Sequence, residues 1–332
     1  MIRQMDATTA AATATATTSP NTVFFAAVLV IALGYVIRKV GLVTREHGNA
    51  LARIVINVTL PAVILVTLPD TELRLSLLFL PLLALGHSAV AFAAASFLFR
   101  RRSAAERGLM TMCSMGFNNG LFAFPIVMGI WGSEAVRLLA VFDVGNGLTV
   151  LGFNYVVGGW FGGLAAAERL GQVGATLNIL GALKRIGHAL VTSVPMIVFV
   201  LALILNLTGL RFPSPVERAV ETVADANGAL ALLVLGIFQS LRLKREDIPI
   251  ILRVLGLRYV LGGLIAVASV ALLGNTPLIR QVLAIVFILP IGMTSIPFSV
   301  EFGLDTRLAT TMVNISIVVS FVIMWTVVTM TA

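Results

Sequence analysis

Gly116-Phe117-Asn118-Asn119-Gly120-Leu121-Phe122-Ala123-Phe124-Pro125 and Leu289-Pro290-Ile291-Gly292-Met293-Thr294-Ser295-Ile296-Pro297 are the two stretches on which the fold turns. Each lies inside a long apolar run and mixes glycine and proline with uncharged polar residues. Proline lacks an amide hydrogen and crowds the preceding turn, while glycine accepts conformations closed to other residues, so a helix through either stretch should unwind at its centre.

The surrounding composition says where such helices sit. Of 332 residues, 58% are hydrophobic and 11% charged, with a mean hydropathy of +1.02. Soluble domains carry about 25% charged residues, so lipid must solvate much of this surface. Ten apolar runs of membrane-spanning length follow: 21–38, 49–68, 75–99, 108–130, 135–164, 187–208, 218–240, 248–273, 277–300 and 308–330. The second and seventh begin as amphipathic segments. The fold class expected is therefore an all-α integral membrane protein with ten transmembrane helices. Residues 1–20 form an Ala/Thr-rich tail without the features of a signal peptide, read as a disordered extension.

The net charge of +8 does not point to nucleic acid, because the basic residues sit in short clusters between runs, as at Arg100-Arg101-Arg102 and Lys184-Arg185. Numbering the connections alternately places six Lys and Arg on the N-terminal side, Arg3, Arg74, Arg137, Arg211, Arg218 and Arg280, and sixteen on the other, Arg185, Arg242 and Arg307 among them. The positive-inside rule then makes the richer side cytoplasmic and both termini extracytoplasmic. Only Arg258 is left unassigned to a side, about ten residues into the eighth run.

The two halves align on one another. Pairs Asn57/Asp225, His87/Tyr259, Pro125/Pro297 and Asp143/Asn314 recur at offsets of 168, 172, 172 and 171 residues. Five helices intervene, an odd number, so the second copy must lie inverted. The expected domains are a first five-helix repeat over 21–164, a cytoplasmic connection over 165–186 and a second repeat over 187–332. Inverted repeats with matched helix breaks mark the binding site of secondary carriers near the bilayer midplane.

At such breaks the half-helix N-termini present amide hydrogens and a partial positive charge, which suit an anion. Asn118, Asn119, Gly120 and Pro125 of the first stretch, and Pro290, Gly292, Thr294, Ser295 and Pro297 of the second, form the expected substrate site. Arg258 has two readings, a contact to a substrate carboxylate or a pair with an acidic neighbour. Asp143, with Asn146 beside it and Asn314 opposite by pseudo-symmetry, is a candidate for a coupling proton or sodium ion, or else for a structural hydrogen bond or a salt bridge to Arg258. Asp225 is a further candidate for the coupling ion or proton; it and Asn227, opposite Asn57 and Thr59, either line the path or stitch helices together. His87 is a proton switch or a packed histidine, and paired glycines such as Gly158-Gly159 and Gly162-Gly163 mark close helix packing. Glu301 and Asp305 sit near a helix end, where solvation explains them.

Catalysis finds no support. There is no HExxH pair, no GxSxG elbow and no closely spaced intramembrane aspartates. Cys113, alone, excludes an internal disulfide or a Cys-based metal site and reads as a packed thiol. No catalytic residue, metal or cofactor is expected.

These features together resemble the auxin efflux carrier family. Gly34-Tyr35, Arg38-Lys39 and Gly41-Leu42 look like its first helix and loop, and Asn57 through Pro61 like its second helix. Asn118, Gly120 and Pro125 are similar to its first break, and Leu289 through Phe298, with Glu301 and Asp305, to its second. The resemblance runs from about residue 22 to the C-terminus. It implies a scaffold of helices 1, 2, 6 and 7 beside a transport domain of helices 3–5 and 8–10, with helices 4 and 9 crossing, in an architecture like that of sodium/proton antiporters and bile-acid symporters. The prolines of the second stretch lie seven apart, wider than in the plant proteins, and the connection over 165–186 is short. Both favour a bacterial-type carrier of the malonate or malate kind in the inner (plasma) membrane.

The function expected is elevator-like alternating access for a small organic carboxylate anion. The alternatives are a sodium-coupled organic-acid symporter or a cation/proton antiporter of the same architecture, and third a membrane sensor. The expected partners are that anion and the lipid bilayer, with no nucleic acid. A homodimer through the scaffold helices is compatible with this layout.

Overall fold

The computed structural model describes residues 19–69, 75–170, 191–240 and 243–331, together with 181, 184, 187 and 188. The tail up to residue 18, Arg3, Arg74, Arg185, Arg242 and most of the 165–186 connection lie outside the described residues.

Every regular element among the described residues is helical, and one antiparallel bridge joins Phe117 to Ile291. Helix α1 (Pro20–Lys39) starts at a Ser19 cap and ends on Arg38 and Lys39, whose charges suit a helix C-terminus. Helix α2 (Arg45–Thr67) contains a π turn at Val55–Thr59. It begins four residues before the expected apolar boundary, because Thr44 and His47 form a reciprocal capping box.

Then come α3 (Phe79–Leu98), α4 (Ala104–Ser114), α5 (Phe124–Gly147) and α6 (Asn154–Arg169), followed by α7 (Val194–Thr208), α8 (Ser214–Phe238) and α9 (Ile248–Leu273). The chain closes with α10 (Pro277–Val286), α11 (Ser295–Glu301) and α12 (Thr306–Thr331).

Among the described residues, seven helical stretches are long and apolar enough to cross a membrane, and α7 and α10 are shorter apolar helices. The outward faces carry large apolar side chains, such as Leu29 and Leu33 on α1 and Val260, Leu264 and Val267 on α9. Lipid is the solvent such faces require. One stretch, Asn119–Arg169, has 51 residues, about 77 Å of helix at 1.5 Å per residue. That is far beyond the roughly 30 Å hydrocarbon core. Gly132 resolves the excess: at φ 69° and ψ −163° it turns the chain between the fourth and fifth apolar runs.

The prolines behave differently from expectation. Pro125 does not unwind its run. The non-helical segment is 115–118, and a π turn at Asn119–Ala123 then leads into α5. In the second run the chain unwinds over 287–294, which includes Pro290, while Pro297 is the third residue of α11. Pro297 is tolerated because first-turn amides have no intrahelical acceptor. Pro125 is tolerated because the π turn before it shifts the hydrogen bond by one residue, from Phe124 N–H to the Asn119 carbonyl, and loosens the turn its ring would crowd. The π turn before Pro61 in α2 does the same, with Leu60 N–H donating to the Val55 carbonyl.

Small residues set the closest helix approaches. Gly34 of α1 and Gly236 of α8 meet so tightly that a Cβ on either would run into a carbonyl of the other helix, that of Leu233 or Ile31. Trp325 of α12 stacks on Phe24 of α1 at 5.6 Å and donates through Nε1 to Asn21 Oδ1 at 2.7 Å. Gly158 and Gly162 seat the Phe302 ring and backbone, as their spacing suggested.

Candidate functional site

The two unwound segments cross and touch. Asn118 N–H donates to the Pro290 carbonyl at 3.0 Å, within the Phe117–Ile291 bridge. Side chains complete the remaining backbone groups. Asn146 of α5 accepts from Phe117 N–H at 2.8 Å and donates to the Phe117 carbonyl at 3.0 Å, much as a neighbouring strand would. Ser316 Oγ of α12 accepts from Ile291 N–H at 3.0 Å. Phe117, Phe142, Phe287 and His87 wall the crossing with ring contacts of 4.7–6.3 Å. Neither His87 nitrogen has a hydrogen-bond partner among the described residues, and the ring is a buried packing element.

Arg258 stands behind the crossing, wholly buried on α9. Its guanidinium donates to the carbonyls of Met115, Gly116, Leu289 and Pro290, and at longer range to those of Cys113 and Ser114. Cys113 and Ser114 are the last residues of α4, and the other four carbonyls belong to the unwound segments that follow α4 and α10, beyond the negative ends of both helix dipoles. One cation thus caps two half-helices. Among the described residues it pairs with no acidic side chain, and backbone carbonyls stand where an acidic partner or a salt bridge to Asp143 was the alternative. The guanidinium also lies 4.7 Å from the Phe117 ring centroid.

Asp143 Oδ1 accepts from Asn119 Nδ2 at 2.7 Å and from Asn146 Nδ2 at 2.8 Å. The fifth apolar run is thereby tied to the first residue after the break. Asn314 is elsewhere: its Nδ2 donates to the Ser240 carbonyl at 3.0 Å, and its own carbonyl accepts from Gln239 Nε2 at 3.2 Å. Asn118 Oδ1 caps the π turn by accepting from Leu121 N–H at 3.4 Å. Asn118 Nδ2, Asn119 Oδ1 and Thr294 Oγ1 are buried with no partner among the described residues, and Ser295 lies against the buried Cys113 thiol.

Two cavities flank this arrangement. One, of about 330 Å³, is lined by Arg45, Asn49, Ala52 and Ile56 of α2, by Leu121, by Phe238, by Met293, Ile296 and Pro297, and by Thr310 and Asn314. The other, of about 210 Å³, is lined by Val63, Val66 and Thr67 of α2, by Phe124, Pro125 and Met128, and by Glu221, Ala224, Asp225, Asn227 and Gly228 of α8. They occupy opposite ends of α2, with Ile56 and Val63 separated by about 10 Å of helix. Leu121 faces the first cavity and Pro125, one turn on, faces the second. Between them Gly120 lies against Leu60, and Thr59 Oγ1 donates to Asn227 Oδ1 at 2.8 Å. Thr59 and Asn227 stitch α2 to α8, while Asp225 is exposed in the second cavity. Asn57 is exposed and donates to the Arg53 carbonyl of its own helix.

The structure brings together Asn118, Asn119, Gly120, Asp143, Asn146, Pro290 and Gly292 at the crossing. Pro297 and Asn314 stand in one cavity, Pro125 and Asp225 in the other. Gln239 escaped sequence reasoning. It stands with Ser240 at the polar end of the seventh apolar run, and that position was the available signal.

A multi-pass helical protein with two broken helices that cross, and with cavities at opposite ends of α2 beside them, has the build of a membrane transport protein. A profile of the membrane transport protein family matches residues 21–161 and 182–328, and the chain belongs to that family, which is the auxin efflux carrier family. Over 312 residues it is 27% identical to an uncharacterized transporter of Methanothermobacter thermautotrophicus, covering 92% of this chain and 95% of the relative. An uncharacterized transporter of Methanocaldococcus jannaschii is 23% identical over 231 residues, 67% of this chain and 69% of that protein.

Proposed function

We propose that this chain is a secondary transporter that moves a small organic carboxylate anion by elevator-like alternating access. The observation that carries the reading is the crossing of two helix breaks, with Leu121, Met293 and Pro297 after the breaks lining one cavity and Phe124 and Pro125 lining another at the opposite end of α2. Substrate binds against Asn118, Asn119 and Thr294, whose unpartnered buried atoms need a ligand's polar groups. The first cavity, of about 330 Å³, falls in the size range of small-molecule pockets.

The full layout proposed is ten spans in two inverted repeats, 21–164 and 187–332. Helices 1, 2, 6 and 7 form the scaffold, and helices 3–5 and 8–10 the moving domain. The Gly132 turn and the matched unwinding at 115–118 and 287–294 support that layout. The Arg45 end of α2 is cytoplasmic, the termini are extracytoplasmic, the plasma membrane is the location, and the scaffold helices supply any homodimer contact. Arg258 holds the crossing together and leaves substrate contact to the uncharged groups.

The test is transport in liposomes with radiolabelled mono- and dicarboxylates. Asn118→Ala and Pro125→Ala should each lower transport while membrane insertion is retained; unchanged transport in both removes the site assignment.

A second reading is favoured by the Asp143–Asn119 hydrogen bond. A carboxylate tied directly to the break is placed to couple transport to sodium or protons. Dependence of anion flux on a sodium or pH gradient supports ion coupling, and cation flux without any anion supports an antiporter.

A further inference from the structure

We propose that the mouth beyond the first cavity is a second anion site, a loading site for soluble carboxylates built by Arg38, Arg45 and Arg307. The inference rests on the anion-carrier reading above. A cavity of about 580 Å³ opens there, lined by those three arginines with Ser240, Thr306 and Thr310 among others.

The arginines come from three separate places: the last turn of α1, the first residue of α2 and the start of α12. An excess of positive charge on one membrane side puts arginines at helix ends. It does not gather three of them on one concave wall. Arg45 and Thr310 line this mouth and the inner cavity alike, so an anion held by Arg45 is already beside the chamber that holds Pro297 and Asn314.

The three guanidiniums are set differently. Arg307 makes a two-pronged pair with Asp247 and reaches Asp305 at 3.4 Å, so its charge is largely matched and it shapes the wall. Arg38 donates to the Gln239 carbonyl at 2.6 Å and lies 5.6 Å from the Tyr35 ring centroid, meeting no carboxylate among the described residues. Its planar fork keeps donors for a carboxylate to engage. The opposite cavity presents Glu221 and Asp225 instead. Of these two openings among the described residues, the arginine mouth is the one complementary to an anion, and charge of one sign in a concave mouth raises the local concentration of its counter-ion.

The test labels Ser240→Cys with bimane in nanodiscs, Cys113 being buried. Iodide and neutral acrylamide serve as quenchers, and malonate as competitor. Malonate should relieve iodide quenching along a saturating curve and leave acrylamide quenching unchanged. In Arg38→Gln and Arg45→Gln the half-saturating malonate concentration should rise about tenfold, the loss of one charge-assisted contact.

Relief by malonate no greater than by sodium chloride of equal ionic strength overturns the proposal, leaving diffuse surface charge. Nanodiscs of phosphatidylcholine with and without phosphatidylglycerol should give the same saturation. If phosphatidylglycerol abolishes it, the occupant is a lipid headgroup and the proposal fails. Saturable malonate binding in a protein that transports no carboxylate would leave this site standing and remove the carrier reading instead.

Discussion

Replacing Arg258 by methionine keeps the volume and removes five N–H donors. Four carbonyls, those of Met115, Gly116, Leu289 and Pro290, then lose their close donor in a site with no exposure. The Pro290 carbonyl keeps the Asn118 N–H, so three groups are left unsatisfied; at about 1–3 kcal/mol for each, the gross loss is about 3–9 kcal/mol. The desolvation cost of the guanidinium, several kcal/mol, is recovered at the same time, so the net should fall at about 3–5 kcal/mol. Native stability is itself only about 5–15 kcal/mol. With a shift of about 2–4 °C per kcal/mol for a chain of this order of size, the midpoint should drop on the order of 10 °C. The assay is thermal unfolding of detergent-purified protein followed by size-exclusion fluorescence, with transport measured in liposomes at a temperature where the variant is folded. Arg258→Lys retains charge, but one ammonium cannot span both helix ends, so it should lie between wild type and Arg258→Met in both assays. An Arg258→Met protein with a wild-type midpoint and wild-type transport would show that the two carbonyl sets do not depend on the cation.

Gly236→Leu should abolish monodisperse protein, because its side chain would enter the backbone of α1 at Ile31, an overpacking cost of about 1–3 kcal/mol or more. Gly86→Ala, where nothing lies within 4 Å of the added carbon, should be neutral or stabilising by up to about 1 kcal/mol; equal behaviour of the two in size exclusion would contradict the close contact. Asp143→Asn keeps an oxygen for Asn119 and Asn146 and removes the charge, so it should fold and insert normally while transport loses its response to a sodium or pH gradient. A full gradient response in that variant would mean Asp143 is not the coupling group.

Much of this was legible along the chain because lipid imposes a strict local rule. Backbone amides cannot meet water in the bilayer core, so apolar length reveals helices and glycine-proline clusters reveal where they fail. Runs four and nine, with their Asn-Asn-Gly and Thr-Ser centres, were marked on that basis alone, and the membrane class followed from composition. The placement of the unwinding was a different matter. Pro125 and Pro297 mark the neighbourhood of the breaks, yet both sit inside helical turns, since a π turn or a first turn removes the conflict that proline creates.

The roles of Arg258, Asn146, Asp143 and Gln239 belonged to the tertiary structure. Arg258 is 145 residues from Cys113 and 31 from Leu289, and nothing in its local sequence says that carbonyls from two other helices will surround it. Asn146 pairs with Phe117 across 29 residues in the same way. Local sequence governs whether a backbone can close its own hydrogen bonds. Where it cannot, the partner is whatever the fold carries there, and that depends on how helices far apart in the chain come to cross.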